Sequence, residues 1–204
     1  MREKLINAAI ERFGKRGFDG VGTREIAAAV DTPMSSITYH FGGKEGLYHA
    51  AAEHIFDHLR DLLGAERFEL PGEDALPQER TDAICAMIRS AGQFMLSEKS
   101  AAFALFIGRE QQDPSPEVRK LMQAKIMPMI EALARQVAIL RPELDEAEAK
   151  AVTVFLFGMA ITLRHSRASL SLLMDAQTLD APTKTMLLEQ LDQSARAILA
   201  GERG

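Results

Sequence analysis

Residues 23–47 hold the chain's densest run of side chains suited to recognition chemistry. The stretch TREIAAAVDTPMSSITYHFGGKEGL divides into two short helical segments about a tight turn. The second segment gathers Tyr39 and His40 with the hydroxyls of Ser35, Ser36 and Thr38 at outward positions. These groups donate and accept hydrogen bonds without adding net charge. A compact helix-turn-helix carrying them is suited to enter the DNA major groove. Competing chemistries lack their parts. The five histidines (His40, His49, His54, His58 and His165) do not assemble a site. His54 and His58 stand at i,i+4, yet no Glu base or third ligand accompanies them, and His40 has no partner ligands nearby. With no nucleophile triad order and no Gly-rich phosphate loop, neither an enzyme, a cofactor nor a metal is expected.

The elements that must position these groups are helical. Of 204 residues, 47% are hydrophobic and 26% charged, an ordinary globular balance. Frequent Ala, Leu, Glu, Arg and Met, with few β-branched runs, predict an all-α fold. Net charge is −5; residues 1–49 carry seven Lys/Arg against six Asp/Glu, and the remainder 17 against 23. The basic bias of the N-terminal part is small, so DNA affinity requires well-placed phosphate contacts and two copies of the module. Cys85 alone cannot form an intrachain disulfide; it reads as a buried structural thiol, with a redox sensor as the alternative. No long apolar run and no signal-peptide core appear, which predicts a cytoplasmic protein with no membrane partner.

Periodicity predicts a first helix from Arg2 to Lys15, striped by Leu5, Ala9 and Phe13, with Gly14 and Gly17 at its end. Thr23 reads as the cap of a second helix, and Thr32 followed by Pro33 as the start of a third ending near Phe41. A fourth runs from Lys44 to Leu63. Gly64 to Pro77 reads as a loop or boundary. Beyond it, helices are expected at 78–97, 100–111, 116–140, 146–173 and 183–200, about nine in all. Ser115 with Pro116 starts one of them, and Asp145 with Glu148 makes a capping box for another. Pro128 should kink the 116–140 helix. The division is a helix-turn-helix domain at 1–45 and a larger helical body at 46–204.

Phe13, Gly17, Phe18, Thr23 to Ala27 and Ile37 to Tyr48 together resemble the N-terminal domain of TetR/AcrR-family transcriptional regulators. The resemblance implies that the third helix enters the major groove while its neighbours clamp phosphates. Thr23 and Arg24 would then touch phosphate. Ser35, Ser36 and Thr38 would face the groove, Tyr39 and His40 would reach backbone or base edges, and Lys44 would take a flanking phosphate. Ile37 and Phe41 read as core. Two positions depart from the family pattern. Asp31 stands where glycine is usual and must adopt a left-handed backbone, and Thr38 stands where the first of two aromatics is common. Operator preference therefore does not transfer from relatives.

One module reads too few base pairs to single out a genomic site, so a homodimer is expected, its recognition helices about 34–36 Å apart. The last two helices are the expected interface. One face carries Ala151, Val154, Gly158, Ile161 or Thr162, and His165; the other stripe is Leu187, Leu191, Ala195 and Ile198. The middle of the body is rich in adaptable side chains. Met87, Phe94, Phe103 and Phe106, with Met127, Phe155 and Met159, suit a pocket for a small apolar effector. Arg109, Glu110 and Arg164 interrupt these stripes and must either pair or face a ligand. The segment FIGREQQDPSPEVRKLMQAKIMPMIEAL also resembles the C-terminal domain of the CecR-like subgroup, whose members look like repressors affecting drug sensitivity and efflux. Together these readings point to a ligand-responsive repressor acting on a palindromic double-stranded operator. An activator, or a non-sensing DNA-binding protein with a structural body, is the alternative.

Overall fold

The computed structural model describes residues 1–63, 70–175 and 178–201. These form eleven helices and no strand: α1 Arg2–Arg16, α2 Thr23–Ala28, α3 Ser35–Phe41, α4 Lys44–Leu63, α5 Pro77–Met95, α6 Ser100–Gln112, α7 Pro116–Lys125, α8 Met127–Leu140, α9 Glu146–His165, α10 Arg167–Leu173 and α11 Ala181–Ala200. The all-α expectation holds. The count exceeds nine because two long predicted helices are each broken. The 116–140 stretch stops at Ile126 rather than kinking, and Pro128 sits in the first turn of α8, where its missing N–H costs nothing. The 146–173 stretch stops at Ser166 (φ −97°, ψ 24°), with neither Gly nor Pro to mark the break. Of the Gly64–Pro77 stretch, residues 64–69 lie outside the described residues; 70–76 is non-helical.

Two compact units form: Met1–Arg60 with Ala101–Ile126, and Asp61–Ser100 with Met127–Gly204. Compactness thus divides the chain elsewhere than at 45/46, because α6 and α7 fold with the N-terminal helices. In the first unit the predicted stripe Leu5, Ala9 and Phe13 meets Ile26, Ile37, Leu47 and Ile55 in one core, with Phe106 from α6 and Val118 from α7. Fully burying Phe106 contributes about 1.5–3 kcal/mol. Gly14 is not a terminator but a contact point. A Cβ there would lie 3.1 Å from both the Ala102 carbonyl and the Phe106 amide, so the glycine lets α6 close on α1. Ser115 caps α7 as predicted, accepting from the Val118 N–H at 3.4 Å.

In the second unit α5 packs against α8, α9 and α11. Its core joins Ile84, Met87 and Ile88 to Leu133, Leu156, Leu163 and Leu191. Asp145 and Glu148 form the expected capping box at 2.8 Å each way. Leu187, Leu191 and Ala195 are buried in this same core, which corrects the expectation that they face a second copy. An amphipathic stripe needs one cover, and here α5 supplies it. Arg80 is also buried, donating to the Gly72 and Glu73 carbonyls at 2.7 Å each, and so ties down the segment before α5. Among the described residues no helix is long and apolar enough to cross a membrane.

Cys85 lies in this core, and burial pushes its thiol up to about 11. Only the thiolate reacts, and burial disfavours it. Iodoacetamide should label the folded chain at least tenfold more slowly than the denatured chain, and the rate should climb with pH beyond 9. Equal rates by mass spectrometry would contradict the burial.

Candidate nucleic-acid interface

The turn between α2 and α3 is built by backbone closure. Thr32 N–H donates to the Ala27 carbonyl at 3.1 Å, and Asp31 takes the left-handed conformation at φ 51°, as its place in the turn requires. Two capping expectations need correction. Thr23 is already helical and half-buried, and Gly22 is the N-cap of α2. Thr32 does not cap α3, which begins at Ser35; its hydroxyl instead pairs with Ser36 Oγ at 2.9 Å. Ser36 is half-buried beside it.

Ile37 is buried and anchors α3 in the first core. Around it Ser35, Thr38, Tyr39 and His40 are all exposed, with Tyr39 at 85%. The Tyr39 and His40 rings meet edge to face at 5.0 Å. Gly42 ends α3 in the left-handed conformation, and α4 starts at once. Gly46 permits that junction, because a Cβ there would sit 1.8 Å from the Phe41 carbonyl. Lys44 Nζ lies 4.4 Å from the centroid of Phe18, a cation–π contact that fixes its charge beside α3. Arg24 is exposed on α2. Arg2, which local motif reading missed, stands 5.4 Å over the Phe41 ring and adds a cation at the far end of α3. Its partner is 39 positions away, so no spacing rule could have flagged it. Glu25 is held below the usual carboxylate range by the Arg16 hydrogen bond, so the nearby acid is paired.

The residues expected to line a pocket are distributed over both units. Phe103, Phe106, Arg109 and Glu110 belong to the first; Met87, Phe94, Met127, Phe155, Met159 and Arg164 belong to the second. Phe103 packs at the edge of the first core, its ring 5.4 Å from that of His58. Arg109 donates to the Gly14 and Lys15 carbonyls at 2.9 and 3.0 Å, capping the end of α1. Glu110 is buried and accepts from the Tyr48 hydroxyl and, at 3.1 Å, from the Ser115 N–H. The two charges therefore satisfy separate partners rather than each other. In the second unit Met87 and Phe94 are buried, while Met127 and Met159 are half-buried. Phe155 is 66% exposed, a correction, because Thr153, Leu156 and Ala160 take the inward face of α9. Arg164 donates to Met95 O and Ser100 Oγ, each at 2.9 Å, and to Ser97 O, closing the end of α5. Burial, then the neighbouring Arg167, lowers its pKa.

Comparison with known proteins is consistent between the two ends of the chain. The profile of the CecR C-terminal domain, described as an HTH-type transcriptional dual regulator, matches residues 80–202, and that of the tetR family of bacterial regulatory proteins matches residues 5–51. The chain is 33% identical over 141 residues to the HTH-type transcriptional dual regulator CecR of Shigella flexneri, a match covering 67% of this chain and 63% of that relative. The match thus spans less than two thirds of the relative's length. The negative regulator of the biofilm operon icaADBC, IcaR of Staphylococcus aureus strain Newman, is 33% identical over 63 residues, covering 31% of this chain and 34% of IcaR. Among solved structures, AibR in complex with isovaleryl coenzyme A and operator DNA superposes with a TM-score of 0.69 at 14% identity, covering 99% of each chain.

Tyr48 holds the interface from behind. Its ring lies 5.0 Å from Phe13, 5.2 Å from Phe18 and 4.9 Å from Phe106. Burial, then hydrogen bonding to Glu110, raises its hydroxyl pKa well above the usual value, so it stays a donor at any working pH. Tyr48→Phe should lower unfolding free energy by about 1–3 kcal/mol, since a buried carboxylate loses a donor. Urea denaturation followed by circular dichroism measures this, and an unchanged midpoint would refute the role.

Proposed function

This chain belongs to the TetR family of bacterial regulators, with a C-terminal domain of the CecR type, and from that premise we propose a ligand-released repressor that binds a palindromic operator as a homodimer. The observation that carries this reading is the outward face of α3. Ser35, Thr38, Tyr39 and His40 are exposed on a helix held rigidly by Ile37 and by the junction at Gly46, flanked by Arg2, Arg24 and Lys44. Such a helix enters the groove while the cations engage phosphates on either side. IcaR, a negative regulator, supports repression as the outcome.

Dimerisation is supported by the outer face of α9. Ala151, Val154, Phe155, Ile161, Thr162 and His165 are exposed there, an apolar strip with a single ionisable group. Gly158 lies among them with nothing within 4 Å of a built Cβ. Mid-helix glycine costs about 1 kcal/mol relative to alanine, and among the described residues no neighbour requires it. Close approach of a second α9 accounts for it, with the exposed side of α11 (Met186, Gln190 and Gln193) alongside. Release by a small apolar or amphipathic effector follows from the methionine-rich composition and from AibR, which binds both a coenzyme A ester and operator DNA. Met87, Phe94, Met127 and Met159 in the second unit are the side chains we assign to that role. An effector must prefer the DNA-free state by about 2–3 kcal/mol to matter. The dual-regulator description of CecR favours activation at some promoters as the second reading, and transcription in vitro distinguishes the two.

Fluorescence anisotropy with duplexes from the regions flanking the chain's own gene tests the whole reading. Specific binding should weaken steeply with salt. Lys44→Ala should weaken it further and make the slope of log K against log salt shallower by about 0.9, one phosphate contact. An unchanged slope removes Lys44 from the interface, and no binding to any duplex removes the proposal. Gly158→Leu should give a monomer by sedimentation velocity, with an intact helical spectrum and lost operator affinity; a persisting dimer would exclude α9 as the seam.

A further inference from the structure

The side chains on the groove-facing helix are unusual for what they omit. Major-groove readout normally relies on Arg or Lys with guanine, Asn or Gln with adenine, and Asp or Glu with cytosine. Residues 32–41, TPMSSITYHF, contain none of these six types. The exposed hydroxyls of Ser35 and Thr38 donate and accept alike and so discriminate weakly. Beside whatever base edges Tyr39 and His40 reach, there is room for a further feature to carry base discrimination.

That feature is apolar. Met34 is 47% exposed, belongs to neither hydrophobic core, and is already helical at φ −55°, ψ −31°. Its carbonyl accepts from the Ile37 N–H at 3.0 Å, which fixes its place at the leading edge of α3. Thr38 follows at i+4, on the same side, and its methyl is likewise outside the core. Ile37, at i+3 from Met34, is buried in the first core, so Met34 and Thr38 lie along one flank of the face that α3 buries. The one apolar group that B-DNA presents in its major groove is the thymine C5-methyl.

We propose that Met34, with the Thr38 methyl one turn on, reads thymine C5-methyl groups, so that operator choice rests on methyl contacts rather than on bidentate hydrogen bonds. The proposal rests on α3 being the groove helix. Four residues of α-helix advance about 6 Å, close to two base-pair steps of about 3.4 Å. The two readers therefore address thymines on neighbouring or next-neighbouring base pairs in each half-site.

Deoxyuridine isolates this contact, since it pairs as thymine does and lacks only the methyl. Duplexes are first selected from a random library with the full chain, and each thymine of the selected half-site is then replaced singly by deoxyuridine. At one or two positions binding should weaken about threefold to fivefold, the transfer value of one methyl. Met34→Ala should erase the loss at one position and leave the other, and Thr38→Ser, which keeps the hydroxyl, should do the reverse. The proposal is overturned if deoxyuridine is tolerated everywhere, if Met34→Ala shows the wild-type loss at every position, or if the selected half-site has no thymine. If no duplex is enriched at all, the assignment of α3 to the groove fails first, an outcome separate from a selected operator indifferent to uracil.

Discussion

A helix of seven residues cannot hold its own shape in water, and α3 is such a helix. Its orientation is imposed from outside, chiefly by Ile37 in the core and by the tight join at Gly46, where α4 begins against the Phe41 carbonyl. The exposed side chains of α3 inherit their direction from those two constraints. Asp31 adds a third, taking the left-handed conformation at φ 51° in the turn between α2 and α3. The exposed face is therefore a product of the buried one.

The same logic extends to α6 and α7. Arg109 occupies the open carbonyls at the end of α1, and Glu110 collects the Tyr48 hydroxyl and the start of α7. Glu110 is buried, and a buried charge is tolerable only when its partners are met; Arg109 is exposed. Lys125, reaching Glu53 at 3.1 Å and Asp57 at 2.6 Å on α4, is a further tie of this kind. Arg109 and Glu110, which read along the chain as residues that pair or face a ligand, thus fasten the first unit together.

Much of the architecture was legible in the sequence because its signals are local. The stripe of α1, the capping box of Asp145 and Glu148, the Ser115 cap and the strained Asp31 all follow from neighbours within a few positions. What escaped depends on distant partners. Gly14 answers to Ala102 and Phe106, Arg2 to Phe41, and Arg164 to the carbonyls of Met95 and Ser97. The break at Ser166 carries no Gly or Pro, so the periodicity ran through it. The apolar stripe of α11 announces a buried face without saying whose, and α5 proved to be its cover. In the candidate site the polar types were readable, but the pairing of Ser36 with Thr32 needed coordinates.

The reach of the first core into residues 101–126 bears on protein engineering. Exchanging only the first 45 residues between relatives, to retarget a regulator, would seat a foreign α1 on a native α6 whose Phe106, Arg109 and close backbone were shaped for Gly14 and its neighbours. A workable graft would carry α6 and α7 along as part of the transplanted piece.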